Sequence, residues 1–245
     1  MKTRNYCFNI RMIPEIGVTA HTAPGVNDWI IKDIDRELGR MDPNRKVEIL
    51  DLGAGEGYIT YQLLRAIDRR GMKGEVFAVD INEAKFEPKN IPGVTFRTIN
   101  LDTEFHFGKF DFVIGADVIE HLRSPYGFLK NCFENLKTEG IIYLSTPNVL
   151  SISSLAKMLI TGIPSFFDMN VANEHISPSP KWMIELMKDK ICIELNRSAT
   201  METTYNRNIV TTGLRRKGKR MMIAIPAKPN RLFGEVSLYK IKATA

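Results

Sequence analysis

Val47-Glu48-Ile49-Leu50-Asp51-Leu52-Gly53-Ala54-Gly55-Glu56-Gly57 is the stretch that decides the fold. Val47 to Asp51 reads as a short apolar strand, and the three glycines after it let the chain turn sharply and let a ligand approach main-chain N–H groups. A helical pattern follows from about Tyr58 to Arg70. Outward from there, strand-like runs recur at Glu75 to Asp80 (EVFAVD), Val94 to Ile99, Phe110 to Gly115 (FDFVIG) and Ile141 to Ser145 (IIYLS). Strands alternating with helices predict an α/β, doubly wound, mostly parallel sheet with both faces covered.

The helices between and around these strands have their own signals. Pro125 to Lys137 has Ser124 as a cap, Pro125 in its first turn, and an apolar stripe of Phe128, Leu129, Cys132, Phe133 and Leu136. Asn27 to Met41 reads as an amphipathic helix with Trp29, Ile30, Ile34 and Leu38 on one side, and Asp42-Pro43-Asn44 turns the chain into the first strand. After the fifth strand, Ser151 to Thr161 predicts a helix, followed by a GIPSFF turn with the pair Phe166-Phe167. A further helix is expected from Pro180 to Asp189, then strands near Ile191 to Leu195 and Val236 to Ile241, with the basic run Arg215 to Arg220 between them. Such a run is read as a solvated loop or helix face, or as a holder of phosphate or of an anionic membrane surface.

A length of 245 residues suits one large domain with or without a lid. The net charge of +6 points to an anionic partner or surface without identifying it. Cys7, Cys132 and Cys192 are far apart and in no CxxC pattern, which predicts reduced thiols in a cytoplasmic protein. The N-terminal stretch lacks the apolar core of a signal peptide, and no run approaches the roughly 18 to 20 apolar residues that cross a bilayer. Peripheral contact with a membrane stays open.

The acidic residues around the glycine loop narrow the ligand. Asp80 ends the second strand, where a carboxylate of this fold faces a ribose diol. A dinucleotide fingerprint is GxGxxG, but position 58 is Tyr and the third glycine comes one residue early, at Gly57. Asp51 stands two residues before the first glycine; a carboxylate there repels a pyrophosphate and attracts an ammonium. A nicotinamide oxidoreductase is therefore the weaker alternative, beside a binding protein that kept the fold without the chemistry.

ILDLGAGEG followed by VFAVD resembles the first two motifs of class I S-adenosylmethionine-dependent methyltransferases. The resemblance implies a Rossmann-like methyltransferase fold with seven strands and a small helical lid inserted after the fifth. It implies that Gly53, Gly55 and Gly57 line the loop beneath the methionine part of S-adenosyl-L-methionine and that Asp51 supports that region. Asp80 then binds the ribose hydroxyls with Ile81 beside it, Asp102 contacts the adenine, and Asp117 completes the cofactor set. The whole chain, 1–245, reads as one methyltransferase domain: an N-terminal helical extension at 1–45, a cofactor-binding core at 46–148, a lid and substrate insertion at 149–180, and the rest of the sheet at 181–245.

Asp117-Val118-Ile119-Glu120-His121-Leu122 follows the fourth strand at its carboxyl end, the edge where ligands meet an open parallel sheet. Phe110 to Asn148 is similar to the corresponding part of quinone-biosynthesis O-methyltransferases, of O-methyltransferases from polysaccharide gene clusters, and of small-RNA 3′-end 2′-O-methyltransferases. Three roles compete for His121: general base, with Glu120 beside it as a second catalytic candidate; metal ligand with Glu120, Asp117 and His175; or a local contact only. In the RNA-end and some quinone enzymes an ExxEH set binds a divalent cation. Here Asp117, with a side chain one carbon shorter, stands in place of its first Glu. Phe166, Phe167 and Met169 either line an apolar acceptor wall or pack a small subdomain. The expected reaction is O-methylation of a small molecule or of a glycan or lipid-linked sugar, the acceptor being anionic in one reading, with a metal-assisted quinone-type or RNA 3′-end enzyme as the alternative. No DNA-binding or RNA-binding module is visible.

Overall fold

The computed structural model describes residues 12–20, 22, 25–167, 174–206, 214–216, 219–221, 232 and 234–244. Cys7, Met169, Lys217 and Gly218, on which expectations were set above, lie outside the described residues.

Two short strands, β1 (Met12–Ile13) and β2 (Val18–Thr19), pair antiparallel ahead of α1 (Val26–Leu38). The chain then alternates through β3 (Val47–Leu52), α2 (Tyr58–Arg69), β4 (Gly74–Asp80), β5 (Val94–Thr98), β6 (Phe110–Ala116), α3 (Pro125–Glu134) and β7 (Leu136–Pro147). It continues with α4 (Ile152–Thr161), α5 (Lys181–Glu194), β8 (Ser198–Asn206), β9 (Leu214–Arg216), β10 (Lys219–Met221) and β11 (Val236–Thr244). Seven strands form one sheet in the order β5-β4-β3-β6-β7-β11-β8. The first five are parallel, and β11 runs antiparallel between β7 and β8. The order reverses between β3 and β6, so the crevice beyond their carboxyl ends is where such a sheet receives a ligand.

Side-chain alternation divides the core in two. Val47 and Ile49 of β3, Phe112 and Ile114 of β6, and Ile141 and Tyr143 of β7 face α1 and α2, meeting Ile30, Ile34, Leu38, Leu63 and Ile67. Leu50 and Leu52, Val113, and Ile142 and Leu144 face the other way, against Phe128, Leu129, Cys132 and Phe133 of α3 and Ile184, Met187 and Ile191 of α5. Both faces of the central strands are thus dry, which is why they read as continuous apolar runs.

Three expectations are corrected. Ile191 to Leu195 is the end of α5 and the residue after it, not a strand. Ile184, Met187 and Ile191 recur at helical spacing and are buried together, and a short apolar run alone does not separate the two conformations. The seventh strand is instead the Thr-rich β8, paired along one side with β11 and carrying exposed polar residues on its outer face. The helix expected to reach Lys137 stops at Glu134: the Asn135 amide bonds the Phe105 and Asn131 carbonyls, and Leu136 already pairs with Phe110 as β7 begins. The described residues of the basic run, Arg215, Arg216, Lys219 and Arg220, lie in the antiparallel pair β9 and β10 rather than in a helix.

Candidate active site

The glycine loop leaves β3 at the carboxyl edge. Gly53 and Ala54 donate their N–H groups to the Val79 carbonyl at 2.8 and 2.9 Å, which folds the loop back over β4. Gly53 and Gly57 have φ of 72° and 91°, and a Cβ on either would lie 2.4 Å from Val118 or Pro88, so both conformation and packing require glycine. Gly55 differs. Its φ is 56°, and a Cβ there would meet nothing within 4 Å, so this glycine borders open space.

Asp80 holds that opening in shape. One carboxylate oxygen accepts from the Gly55 N–H at 2.8 Å and the other from the Asn82 N–H at 2.9 Å. Ile81, next in sequence, is 69% exposed. Asp51 is buried at the end of β3 and accepts from the Thr60 hydroxyl at 2.6 Å. Burial, the Thr60 bond acting against it, and the negative charge of Asp80 push its carboxyl up to about 6. A cation arriving beside Asp51 would pull it back toward the ionised form. Asp102 sits below β5 with its carboxylate accepting from the Arg123 N–H at 2.7 Å, so it ties the loop after β5 to the loop carrying His121.

The turn after β6 presents Asp117 with φ of 54°, then a single 3-10 turn over Ile119–His121. Glu120 is 1% exposed, and its Oε2 has no hydrogen-bond partner. Burial first, and then the charge of Asp117, raises its carboxyl well above the usual range. The His121 ring bonds the Glu174 carbonyl through Nδ1 at 2.7 Å. Since a carbonyl only accepts, Nδ1 carries the proton and the Nε2 lone pair is left for other work. Residues 174–177 are strapped to this turn: Ile176 and Ser177 donate to the Glu120 carbonyl at 2.8 and 3.0 Å, and the Ser177 hydroxyl to the Leu122 carbonyl at 2.5 Å. The strap sets the His175 ring edge-on to His121, with centroids 4.7 Å apart. Burial, and then the neighbouring His121, lower the His175 pKa, and its Nδ1 is buried without a partner.

One ligand atom each from Glu120, His121 and His175 lies within 4.8 Å of the other two. Asp117 is not part of this group; its carboxylate accepts from the Ser145 hydroxyl at 2.5 Å. Glu120 Oε2 and His175 Nδ1 are buried without a partner, and a carboxylate with two imidazoles is a donor set suited to a divalent cation such as zinc. Phe167 packs its ring 5.6 Å from that of His175, so this member of the expected apolar wall does adjoin the cluster.

Several contributors carried no clear signal in sequence. Thr60 is a polar residue buried in the first turn of α2 between apolar neighbours, the one hint of an inward role. Thr19 and Glu56 join β2 to the glycine loop through the Thr19 N–H and hydroxyl, and Ser145 bonds Asp117.

A glycine loop between carboxylates, at the switch point of a sheet ending in an antiparallel pair, defines a class I methyltransferase architecture. A methyltransferase-domain family model matches residues 26–189, and the chain belongs to that family of S-adenosylmethionine-dependent enzymes. It is 27% identical over 135 residues to a ubiquinone biosynthesis O-methyltransferase of Cereibacter sphaeroides, covering 50% of each chain. It is 30% identical over 151 residues to the mitochondrial ubiquinone biosynthesis O-methyltransferase of Saccharomyces cerevisiae, covering 55% of this chain and 46% of that one. The chain thus spans about half the length of the curated relatives it matches. In fold it is similar to a SAM-dependent methyltransferase from Archaeoglobus fulgidus, with a TM-score of 0.53 at 18% identity over 90% of this chain and 95% of that one. With the family assigned, the nicotinamide alternative is set aside.

Proposed function

We propose that this protein transfers the methyl group of S-adenosyl-L-methionine to a hydroxyl oxygen of a small-molecule acceptor. The observation that carries the reading is the loop in which Asp80 is fixed by the Gly55 and Asn82 N–H groups, next to open space above Gly55 and a carboxyl at Asp51 poised near neutrality. In this reading Gly53, Gly55 and Gly57 form the floor under the methionine part, Asp51 and Asp117 face its positive charge, Asp80 takes the ribose diol, and Ile81 and Asp102 flank the adenine. The methyl donor supplies an already activated sulfonium carbon, so the chain's task is to align the oxygen with it and keep water out.

With no cation bound, the single Nε2 lone pair of His121 would take the hydroxyl proton, its ring fixed by the Glu174 carbonyl and Glu120 at its side; with a cation bound, that lone pair is a ligand instead of the base. The unpartnered Glu120 Oε2 and His175 Nδ1 support a divalent cation held by Glu120, His121 and His175, which would lower the pKa of a bound hydroxyl. Asp117, turned to Ser145, is left out of that set. Residues 149–180, with α4 and the strap, act as the lid over the acceptor, on one domain spanning the chain.

Ubiquinone-pathway relatives support a hydroxyl acceptor; whether it is phenolic or a sugar, and whether it is anionic, is decided by assay. Among the described residues no helix is long and apolar enough to cross a membrane. Peripheral contact is supported by α4, where Ile152, Ala156, Leu159 and Ile160 share one exposed face, Leu159 at 87% and Ile160 at 84%. Lys157 is the one charged residue from Ser151 to Phe167. The buried, unpaired Cys132 and Cys192 suit the reducing cytoplasm.

The test is incubation with methyl-labelled S-adenosylmethionine and a panel of phenols, catechols and sugars, with and without EDTA. Label in an alkali-stable ether, lost in EDTA and restored by a divalent cation, is expected. Label on carbon or nitrogen alone contradicts the oxygen acceptor, and full turnover in EDTA removes the cation.

A further inference from the structure

Asp117 adopts a backbone conformation that residues with a Cβ rarely take, with φ of 54°, at the point where β6 gives way to the Glu120 turn. Glycine would take this conformation with least strain. One partner of this residue is Ser145, fully buried on β7 and paired in register with Ala116. The Ser145 hydroxyl accepts from the Asp117 N–H at 2.8 Å and donates to the Asp117 carboxylate at 2.5 Å. The Ser145 carbonyl accepts from the same N–H at 3.3 Å. One hydroxyl thus grips both the backbone and the side chain of a strained residue.

The turn it fixes has two consequences. Val118 is brought against the glycine loop so closely that a Cβ on Gly53 would lie 2.4 Å from it. The Asp117 carboxylate is held close enough to Glu120 and His175 for its charge to act on both.

We infer that Ser145 is a positioning residue of the transfer reaction, which locks Asp117 in its left-handed turn and aims its carboxylate at the methyl-donor side of the site. The inference rests on the methyltransferase reading above. Ser145 acts only through Asp117, so removing it matters only while the Asp117 carboxylate is present.

A double-mutant cycle tests this. S-adenosylhomocysteine affinity is measured by calorimetry for the wild type, Ser145→Ala, Asp117→Ala and the double variant, with thermal unfolding of each. Ser145→Ala is expected to weaken binding about tenfold in the wild type and less than twofold in the Asp117→Ala background. Equal losses in both backgrounds, or no loss in the wild type, overturn the role. Should Ser145→Ala fail to fold, Ser145→Cys, close in size and a poor donor, takes its place with the same expectation. If the wild-type protein gives no heat with S-adenosylhomocysteine, the methyltransferase reading fails and this one with it. Heat in the wild type with an additive cycle sinks the Ser145 role alone.

Discussion

Two carboxylates of nearly equal burial stand at opposite ends of β6 and its following turn. Asp111, 2% exposed, is bonded by Arg45, by the Lys137 ammonium at 3.0 Å and by the Glu48 N–H at 2.9 Å. Glu120, 1% exposed, has an oxygen with no partner and an acidic neighbour in Asp117. Asp33 belongs with Asp111: burial opposes its ionisation, but the bonds to Lys240 and Tyr143 hold its carboxyl below the usual range. Where a buried acid only joins elements of the fold, the sequence surrounds it with cations. Where it is left without them, burial and like charge raise its pKa, a stability cost that a working site accepts.

The comparison can be broken directly. The largest effect is expected at the unpaired end: His121→Ala and Glu120→Gln should each lower kcat on the order of 100-fold or more, with the melting temperature of Glu120→Gln unchanged or raised. A near-normal rate in both would leave the cluster a merely structural one. The paired end should behave in reverse, with Asp111→Asn lowering unfolding stability by about 1 to 3 kcal/mol and leaving kcat alone. Denaturant titration of the two variants checks this, and equal stability losses would erase the contrast.

Binding sharpens it further. Asp80→Ala should weaken S-adenosylhomocysteine binding by about 1 to 3 kcal/mol, through lost charged hydrogen bonds; unchanged affinity would remove Asp80 from the ribose. The smallest effect is the pH response of Asp51. Its folded pKa, about 6, is raised, so the apo protein is favoured at low pH and loses that stability as pH rises through about 6. Ligand affinity should move the opposite way if the ionised form attracts the donor's positive charge. Affinity at pH 5 is then about tenfold below that at pH 7.5, since about one site in ten is ionised at the lower pH. Asp51→Asn should flatten the profile, and a slope that survives it would belong to another group.

Among the five parallel strands, β3, β6 and β7 were legible because they bury both faces, which leaves unbroken apolar runs such as FDFVIG and IIYLS. The glycine loop was legible because two of its glycines answer to positive φ and close packing together. β8 was not, because an edge strand with an exposed polar face, SATMETTYN, looks like a loop, while ICIEL carries strand-like residues at the end of a helix. In the site, Glu120, His121 and His175 could each be named from sequence. That they converge depends on main-chain bonds from Ile176 and Ser177 to the Glu120 carbonyl, which no side-chain pattern records. Asp117 was placed among the metal candidates by its likeness to the first member of an ExxEH set, and the Ser145 hydroxyl that bonds its carboxylate lies 28 residues downstream.

The central claim is that a glycine bend between Asp51 and Asp80 receives a sulfonium amino acid joined to a ribose. Isothermal titration of the full chain with S-adenosylmethionine and with S-adenosylhomocysteine measures this most directly. The account predicts saturable heat at a single site for each, greatly weakened in Asp80→Ala. Flat titrations with both compounds, on protein shown by its melting transition to be folded, would contradict it.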